Sequence, residues 1–478
     1  MSRKLHTLSV KELGAGFAAG SFSPVDVLES TLDAAARVNP HINAFCHIDT
    51  DGALQQAEAA ARRWERGAQL RPLDGIPVSV KDLILTRGMP TLRGSRTTNP
   101  DQPWDEDAPA VARLRAAGAV LYAKTTTTEF GGSAFSRSPL TGATRNPWNL
   151  EYGCSGSSMG AAAHLAAGIG PLALGNDASG SIRMPASVTG IFGLKPSFGI
   201  VANHPPASAG ILGHTGPLSR TVADAAAMLA VIAGPDPRDA HALPAIDLDL
   251  SSIEAGVEGL RIAYSPTLGL QEPDKDVRRA TDSAVERLRS LGATVEQVAP
   301  HLPGLLDAYN ILRICNRAAS YRAAGGDPAK MDPVVARVLR QADRFTTSDY
   351  IKAEKTRAEL QVRMQLFHRS WDLLITPTLA IPPYPVDTDN GPEDEHWYML
   401  NGHFWSPYTF PFNMTHQPAA TLPCGLSDKN GRAAEELPIG LQIVAAPWRD
   451  DLVLRVASAL EADQPFPLSP IAREETGI

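Results

Sequence analysis

The segment PLALGNDASGSIR, Pro171 to Arg183, joins an apolar run to a glycine and serine cluster that opens a further helical pattern. Pro171 to Leu174 reads as a short buried strand, Asn176 to Gly180 as a turn, and Ser181 as the start of a helix. Such a turn can aim several backbone N–H groups at one point, which suits the oxygen that turns negative when a carbonyl is attacked. The plainer reading is a linking turn with Ser181 as a helix cap. Spacing alone leaves both open.

The same alternation recurs upstream. Ile76 to Val80 and Ala119 to Ala123 read as buried strands, and Ala108 to Ala117 and Ser158 to Gly168 as helices. Strands and helices in turn predict an α/β sheet covered by helices on both faces. The first 68 residues read as mostly helical, with a capping box at Ser9 and Glu12 and a cap and first-turn proline at Ser23 and Pro24. Downstream, Pro235 to Ser252 is a Pro/Asp-rich connection. After it, Leu260 to Tyr264, Asp276 to Leu291 and Ala293 to Val298 repeat strand, helix, strand. A helical region from Pro303 to Ser370 leads to a strand at Leu373 to Thr376 and a proline-rich stretch, Pro377 to Pro392, expected at a pocket rim. Ile439 to Ala445 reads as a strand and Asp450 to Glu461 as a closing helix.

At 478 residues with 43% hydrophobic and 20% charged residues, the composition is that of a globular enzyme with a large core. A net charge of −8 supplies no basic face for phosphates, so nucleic acid is not an expected partner. No signal peptide or membrane span is evident, and Cys46, Cys154, Cys315 and Cys424 lack the spacing of a zinc site or disulfide framework. A cytoplasmic location is the default expectation.

Two further stretches bear on chemistry. Gly156-Ser157-Ser158-Met159-Gly160 fits G-x-S-x-G, but a nucleophile elbow needs a strand just before it. Here Asn146 to Cys154 reads as a loop, which disfavours Ser158 as the nucleophile. Lys81 ends an apolar strand, and between residues 12 and 250 lysine occurs only there and at Lys124 and Lys195. Arginine stays protonated, whereas a desolvated lysine can become a base. A solvated charge is the common alternative.

These residues resemble the amidase signature enzymes. The family pattern is G-I-P-x-x-x-K-D, a G-S-S pair, and D-x-x-G-S-I-R-x-P-A running on to G-x-K-P. The chain reads Gly75 to Asp82, Gly156 to Ser158, Asp177 to Ala186 and Gly193 to Pro196, in that order. Further matches are Gly142 to Trp148, Gly216 to Arg220, Asn413 with Gln417 to Ala419, and Pro438 to Gln442. The resemblance implies one amidase domain over 1–478 built on a large twisted mixed β-sheet. Its parts would be a helical region to 70, a signature core over 71–235, a variable substrate-specificity region over 240–400, and a return to the sheet over 401–478.

Carried over position by position, the resemblance implies Ser181 as nucleophile, Ser157 as bridging serine after a cis peptide, and Lys81 as base. The N–H groups of Ala178, Ser179, Gly180 and Ser181 would form the oxyanion hole. Ser158, Asp177 and Arg183 would support the site, and Gly131 and Gly132 would line an acyl pocket. Ser179 and Met159 stand where the family commonly has glycine, which narrows the conformations of the turn. No cofactor or metal is implied. The partners are a small amide and water, with no membrane, and a homodimer is a family-level expectation.

The expected activity is hydrolysis of a carboxamide, anilide, ester or carbamate bond. One alternative is the glutaminase-like component of an amidotransferase, releasing ammonia from glutamine, whose tyrosine-rich middle segment is not evident here. Another is an amide- or acyl-binding protein without turnover. Trp397, Tyr398, Phe404, Trp405, Tyr408, Phe410 and Phe412 crowd one short stretch. They suggest either an aromatic substrate rim, with Trp405 a substrate contact, or a packed core.

Overall fold

Side-chain alternation along the strands decides what each face of the sheet meets. In the computed structural model, which describes residues 4–476 apart from 71, 245–247, 326, 389–398, 401–402 and 433–434, one sheet of eleven strands runs through the molecule. Numbered in chain order, these are β1 (Phe45–Ile48), β2 (Pro77–Lys81), β3 (Val120–Thr125), β4 (Leu172–Asp177), β5 (Phe192–Lys195) and β6 (His214–Ser219). The remainder are β7 (Arg261–Tyr264), β8 (Thr294–Gln297), β9 (Leu373–Pro377), β10 (Ala419–Leu426) and β11 (Pro438–Ala445). Their spatial order is β1-β3-β2-β4-β6-β5-β10-β11-β9-β7-β8. Strands β3, β2 and β4 are mutually parallel, as are β9, β7 and β8, while the centre is antiparallel.

Both capping boxes form, on α1 (Val10–Ala18) and α2 (Pro24–Ile42). The helical N-terminal part continues in α3 (Thr50–Glu65) and also contains β1, which pairs with β3 at the sheet edge.

Val78 and Val80 of β2, Leu172 and Leu174 of β4, and Leu373 and Ile375 of β9 enter one large apolar cluster. That cluster also takes the apolar faces of α4 (Pro109–Ala116), α7 (Val222–Ile232), α8 (Lys275–Ser290) and α13 (Asp450–Asp463). The alternate positions turn the other way. Ala173 packs with α5 (Met159–Ala166) and α6 (Arg183–Thr189), and Leu374 meets Tyr408 and Phe412. Ser79 and Lys81 share that second face. Ser79 Oγ pairs with His164 Nε2 of α5 at 2.7 Å, and Lys81 reaches the serine segment just before α5.

The 303–370 region resolves into α9 (Leu305–Ala323), α10 (Pro333–Ala342) and α11 (Thr347–Phe367). Before Ser157, Asn149–Gly153 pairs with Arg145–Asn146 in a short ribbon instead of forming a plain loop, and this ribbon is separate from the main sheet. No helix among the described residues is long and apolar enough to cross a membrane.

Candidate active site

Ligand sites in open parallel sheets form beyond the carboxyl ends of the strands. Lys81 and Asp177 are the last residues of the adjacent parallel strands β2 and β4, so the sheet itself sets them side by side. Lys81 Nζ donates to Ser157 Oγ at 2.7 Å and to Asn176 Oδ1 at 2.6 Å. Its side chain is fully buried. Burial, with the Arg317 charge adding, pushes the ammonium well below its usual range against the opposing pull of Asp177.

The Gly156–Ser157 peptide is cis. Ser158 is the N-cap residue of α5, buried, with its N–H donating to the Ser181 carbonyl at 3.1 Å. Its Oγ donates to the Asn176 carbonyl at 3.3 Å. These bonds hold the two serine segments together, and Ser157 and Ser181 line one cavity of about 410 Å³.

Asp177 organises the turn that follows β4. Its carboxylate accepts from the Gly180 N–H at 2.7 Å, from the Ile182 N–H at 3.2 Å and from Asn413 Nδ2 at 2.9 Å. Arg183 grips it with Nε at 3.0 Å and Nη2 at 2.9 Å, both side chains being fully buried. Burial alone would raise the Asp177 carboxyl, but Arg183, Asn413 and Lys195 together hold it below the usual carboxylate range. Arg183 also donates to the Thr409 carbonyl and to Gln442 Oε1. Gln442 of β11 and the segment leading into α12 (Pro411–Met414) therefore fix the turn from the far side. Gly180 sits at φ +120°, and a Cβ there would lie 2.5 Å from Thr409 Oγ1.

One expected donor points elsewhere. The Gly180 N–H is spent on Asp177, because the tight turn folds its amide back under the strand end. The amides of Ala178, Ser179 and Ser181 donate to no described residue. Ser179 Oγ accepts from Tyr309 OH at 2.5 Å.

Gly131 and Gly132 border a small cavity of about 10 Å³ together with Ser179, Ser181, Arg313 and Arg317. A Cβ on Gly131 would come 3.2 Å from Ser157 Oγ, and one on Gly132 would come 2.8 Å from Val335 Cγ2. The aromatic stretch lies elsewhere. Trp405, Tyr408, Phe410 and Phe412 are buried core, with Trp405 packed on Phe135 and Tyr384 at ring distances of 6.2 and 5.3 Å and outside the lining of either cavity. Trp397 and Tyr398 lie outside the described residues, as does the Phe404 side chain. The proline-rich stretch turns inward up to residue 388, burying Leu379, Ile381 and Tyr384. Its described residues contribute nothing to the cavity wall.

Asn176, Tyr309 and Arg317 were not singled out by sequence. Asn176 adjoins Asp177 in the turn, but only the β2–β4 register reveals that it faces Lys81. The other two come from α9, more than a hundred residues downstream. No group of three or more His, Cys, Asp or Glu among the described residues could hold a metal ion.

The family model described as Amidase matches residues 26–454. An acylamidase of Rhodococcus erythropolis is 34% identical, covering 97% of each chain. The GatA-type component of the glutamyl-tRNA(Gln) amidotransferase of Chloroflexus aggregans is 35% identical over 96% of each. Among solved structures, a bacterial aryl acylamidase of the amidase signature family superposes with a TM-score of 0.89 at 28% identity over 99% of each chain. The chain belongs to the amidase signature family of hydrolases acting on carbon–nitrogen bonds.

Proposed function

We propose that this amidohydrolase works through an acyl-enzyme on Ser181, with Ser157 and Lys81 relaying the proton. The observation that carries this reading is the 2.7 Å contact from buried Lys81 Nζ to Ser157 Oγ, in a site where burial disfavours the ammonium. Neutral Lys81 draws the Ser157 proton as Ser157 draws that of Ser181, whose Oγ attacks the carbonyl carbon. The amides of Ala178, Ser179 and Ser181 receive the oxyanion, while the Gly180 amide holds Asp177 and thereby the turn. Ser157 returns a proton to the leaving amine as the C–N bond breaks. Water then attacks the ester, and the same relay carries its proton back to Ser181.

The wall of the larger cavity includes Leu83, Ile84, Leu85 and Ala108, which suits an apolar or aryl amine as leaving group. The likeness to an acylamidase and an aryl acylamidase supports the same choice. Gly131 and Gly132 border the acyl side. The chain is proposed to act as one domain, with 240–400 supplying α9 to the site. Homodimerisation and a cytoplasmic location rest on the family resemblance and the sequence alone.

Anilide hydrolysis followed by aniline release tests the reading, with ammonia release from glutamine as the competing assay. Turnover of anilides that is lost in Ser181→Ala supports it. Glutamine turnover without anilide turnover would favour the amidotransferase-type reading, and neither would favour a binding protein.

A further inference from the structure

Arg317 is a buried cation that meets no counter-ion among the described residues. It is 4% exposed and lines both the large cavity and the small cavity beside Ser181. Nη1 donates to the Gly131 carbonyl at 2.8 Å and lies 3.4 Å from Tyr321 OH, whereas Nε has no acceptor among the described residues. Neither of those bonds is to a carboxylate. The contrast with Arg183 is direct, since that equally buried guanidinium is met by Asp177, Asn413 and Gln442.

An unpaired buried charge is costly unless a ligand completes it. The planar guanidinium fork is shaped to take a carboxylate through two parallel N–H donors. Its position also fixes the distance scale. Arg317 holds the Gly131 carbonyl, and Gly131, without a side chain, abuts Ser157. A group bound by Arg317 is therefore only a short carbon chain away from the serines. The positive field of Arg317 reaches the relay, being one of the influences that keep Lys81 deprotonated.

We propose that the acyl part of the substrate carries a carboxylate that pairs with Arg317, so that the preferred substrates are monoamides of short dicarboxylic acids. The inference rests on the hydrolytic reading above and adds the class of its substrate. The carboxylate takes no part in bond making. The Ser181 Oγ–acyl bond forms as the C–N bond breaks, the relay proton leaves with the amine, and water releases the dicarboxylate.

The test compares the mono-anilides of succinic, glutaric and adipic acids with the anilides of butyric, valeric and hexanoic acids. With the full-length wild type, at least one acid should exceed its neutral partner in kcat/KM by about 100-fold, the scale expected for a buried charge pair. Arg317→Gln should erase most of that ratio through KM, and Arg317→Lys should restore part of it. Independently of any variant, glutarate should inhibit hydrolysis of a neutral anilide by the wild type competitively at concentrations where valerate does not. Turnover of neutral anilides with no carboxylate preference and no inhibition by glutarate overturns this inference and leaves the hydrolytic reading standing. A preference that survives in folded Arg317→Gln also overturns it. Absence of turnover of both series overturns the two together.

Discussion

The hydroxyl of Tyr309 donates to Ser179 Oγ at 2.5 Å, while the Ser179 carbonyl accepts from Thr409 Oγ1 at 2.6 Å. The turn residue that replaces the family's usual glycine is thus tied by its side chain to α9 and by its backbone to the segment before α12. Serine restricts the turn, and the two bonds use that restriction to hold the free amides in place. Tyr309 also stacks on Phe410 with ring centroids 4.2 Å apart. Tyr309→Phe keeps the stack and removes the donor. Loss of one buried hydrogen bond of ~1 kcal/mol corresponds to roughly a fivefold fall in kcat, to be read by steady-state kinetics on an anilide.

The state of Lys81 sets the pH dependence. Only the neutral amine can accept a proton, so kcat/KM rises with pH through the Lys81 titration and then levels. Because burial lowers that titration well below 10.5, the plateau should begin well below that pH. Arg317 also lowers it, so Arg317→Gln should move the rising limb to higher pH on a neutral anilide. Lys81→Arg keeps the charge and cannot act as a base, and kcat should fall by ~100-fold to ~10,000-fold. A pH–rate profile of each variant checks both statements.

Arg183 matters first for stability. Arg183→Met would strand the Asp177 carboxylate without its partner, at a cost of ~3–5 kcal/mol in urea denaturation. In the wild type the Asp177 carboxyl is held below its ordinary value. That contribution is therefore complete above the unfolded value of about 3.9 and is lost as pH falls through the folded one. In Arg183→Met, burial is no longer overcome to the same extent, so the fall of urea stability with acidification should be shallower than in the wild type.

Gly131 has φ +65°, and an added Cβ would press on Leu83 Cδ1 at 2.9 Å and Ser157 Oγ at 3.2 Å. Gly131→Ala should cost ~1–2 kcal/mol for the left-handed backbone and should lower kcat more than it raises KM, since the contact falls on the bridging serine. Thermal melts and Michaelis kinetics on one preparation separate the two effects.

The lysine usage noted in the sequence has a structural counterpart, because Lys81, Lys124 and Lys195 are all fully buried. Burial rather than catalysis is what they share. Lys124 donates to the Ile84 carbonyl and to Thr86 and Thr91, and Lys195 donates to the Pro196 and Gln417 carbonyls. Composition could mark the class but not the member that meets Ser157. The apolar strands β2, β3, β4 and β9 were legible because both their faces are covered. β1 was hidden by its four-residue length in a helical region, and β6 and β10 by the glycine and proline they carry. The aromatic stretch was ambiguous for a related reason, since the same residue types serve a core and a pocket wall. Tyr309 and Arg317 could not be found by spacing, because only the packing of α9 over the turn brings them to Ser179 and Gly131.

The central claim is that Ser181 is the nucleophile and that Lys81 activates it through Ser157. The most direct measurement is to treat the protein with a reactive fluorophosphonate and to locate the adduct by peptide mass spectrometry, in the wild type and in Lys81→Ala. An adduct on Ser181 in the wild type, forming far more slowly in a folded Lys81→Ala, is the expected result. An adduct on Ser158, or one on Ser181 whose rate ignores the loss of Lys81, would contradict the claim.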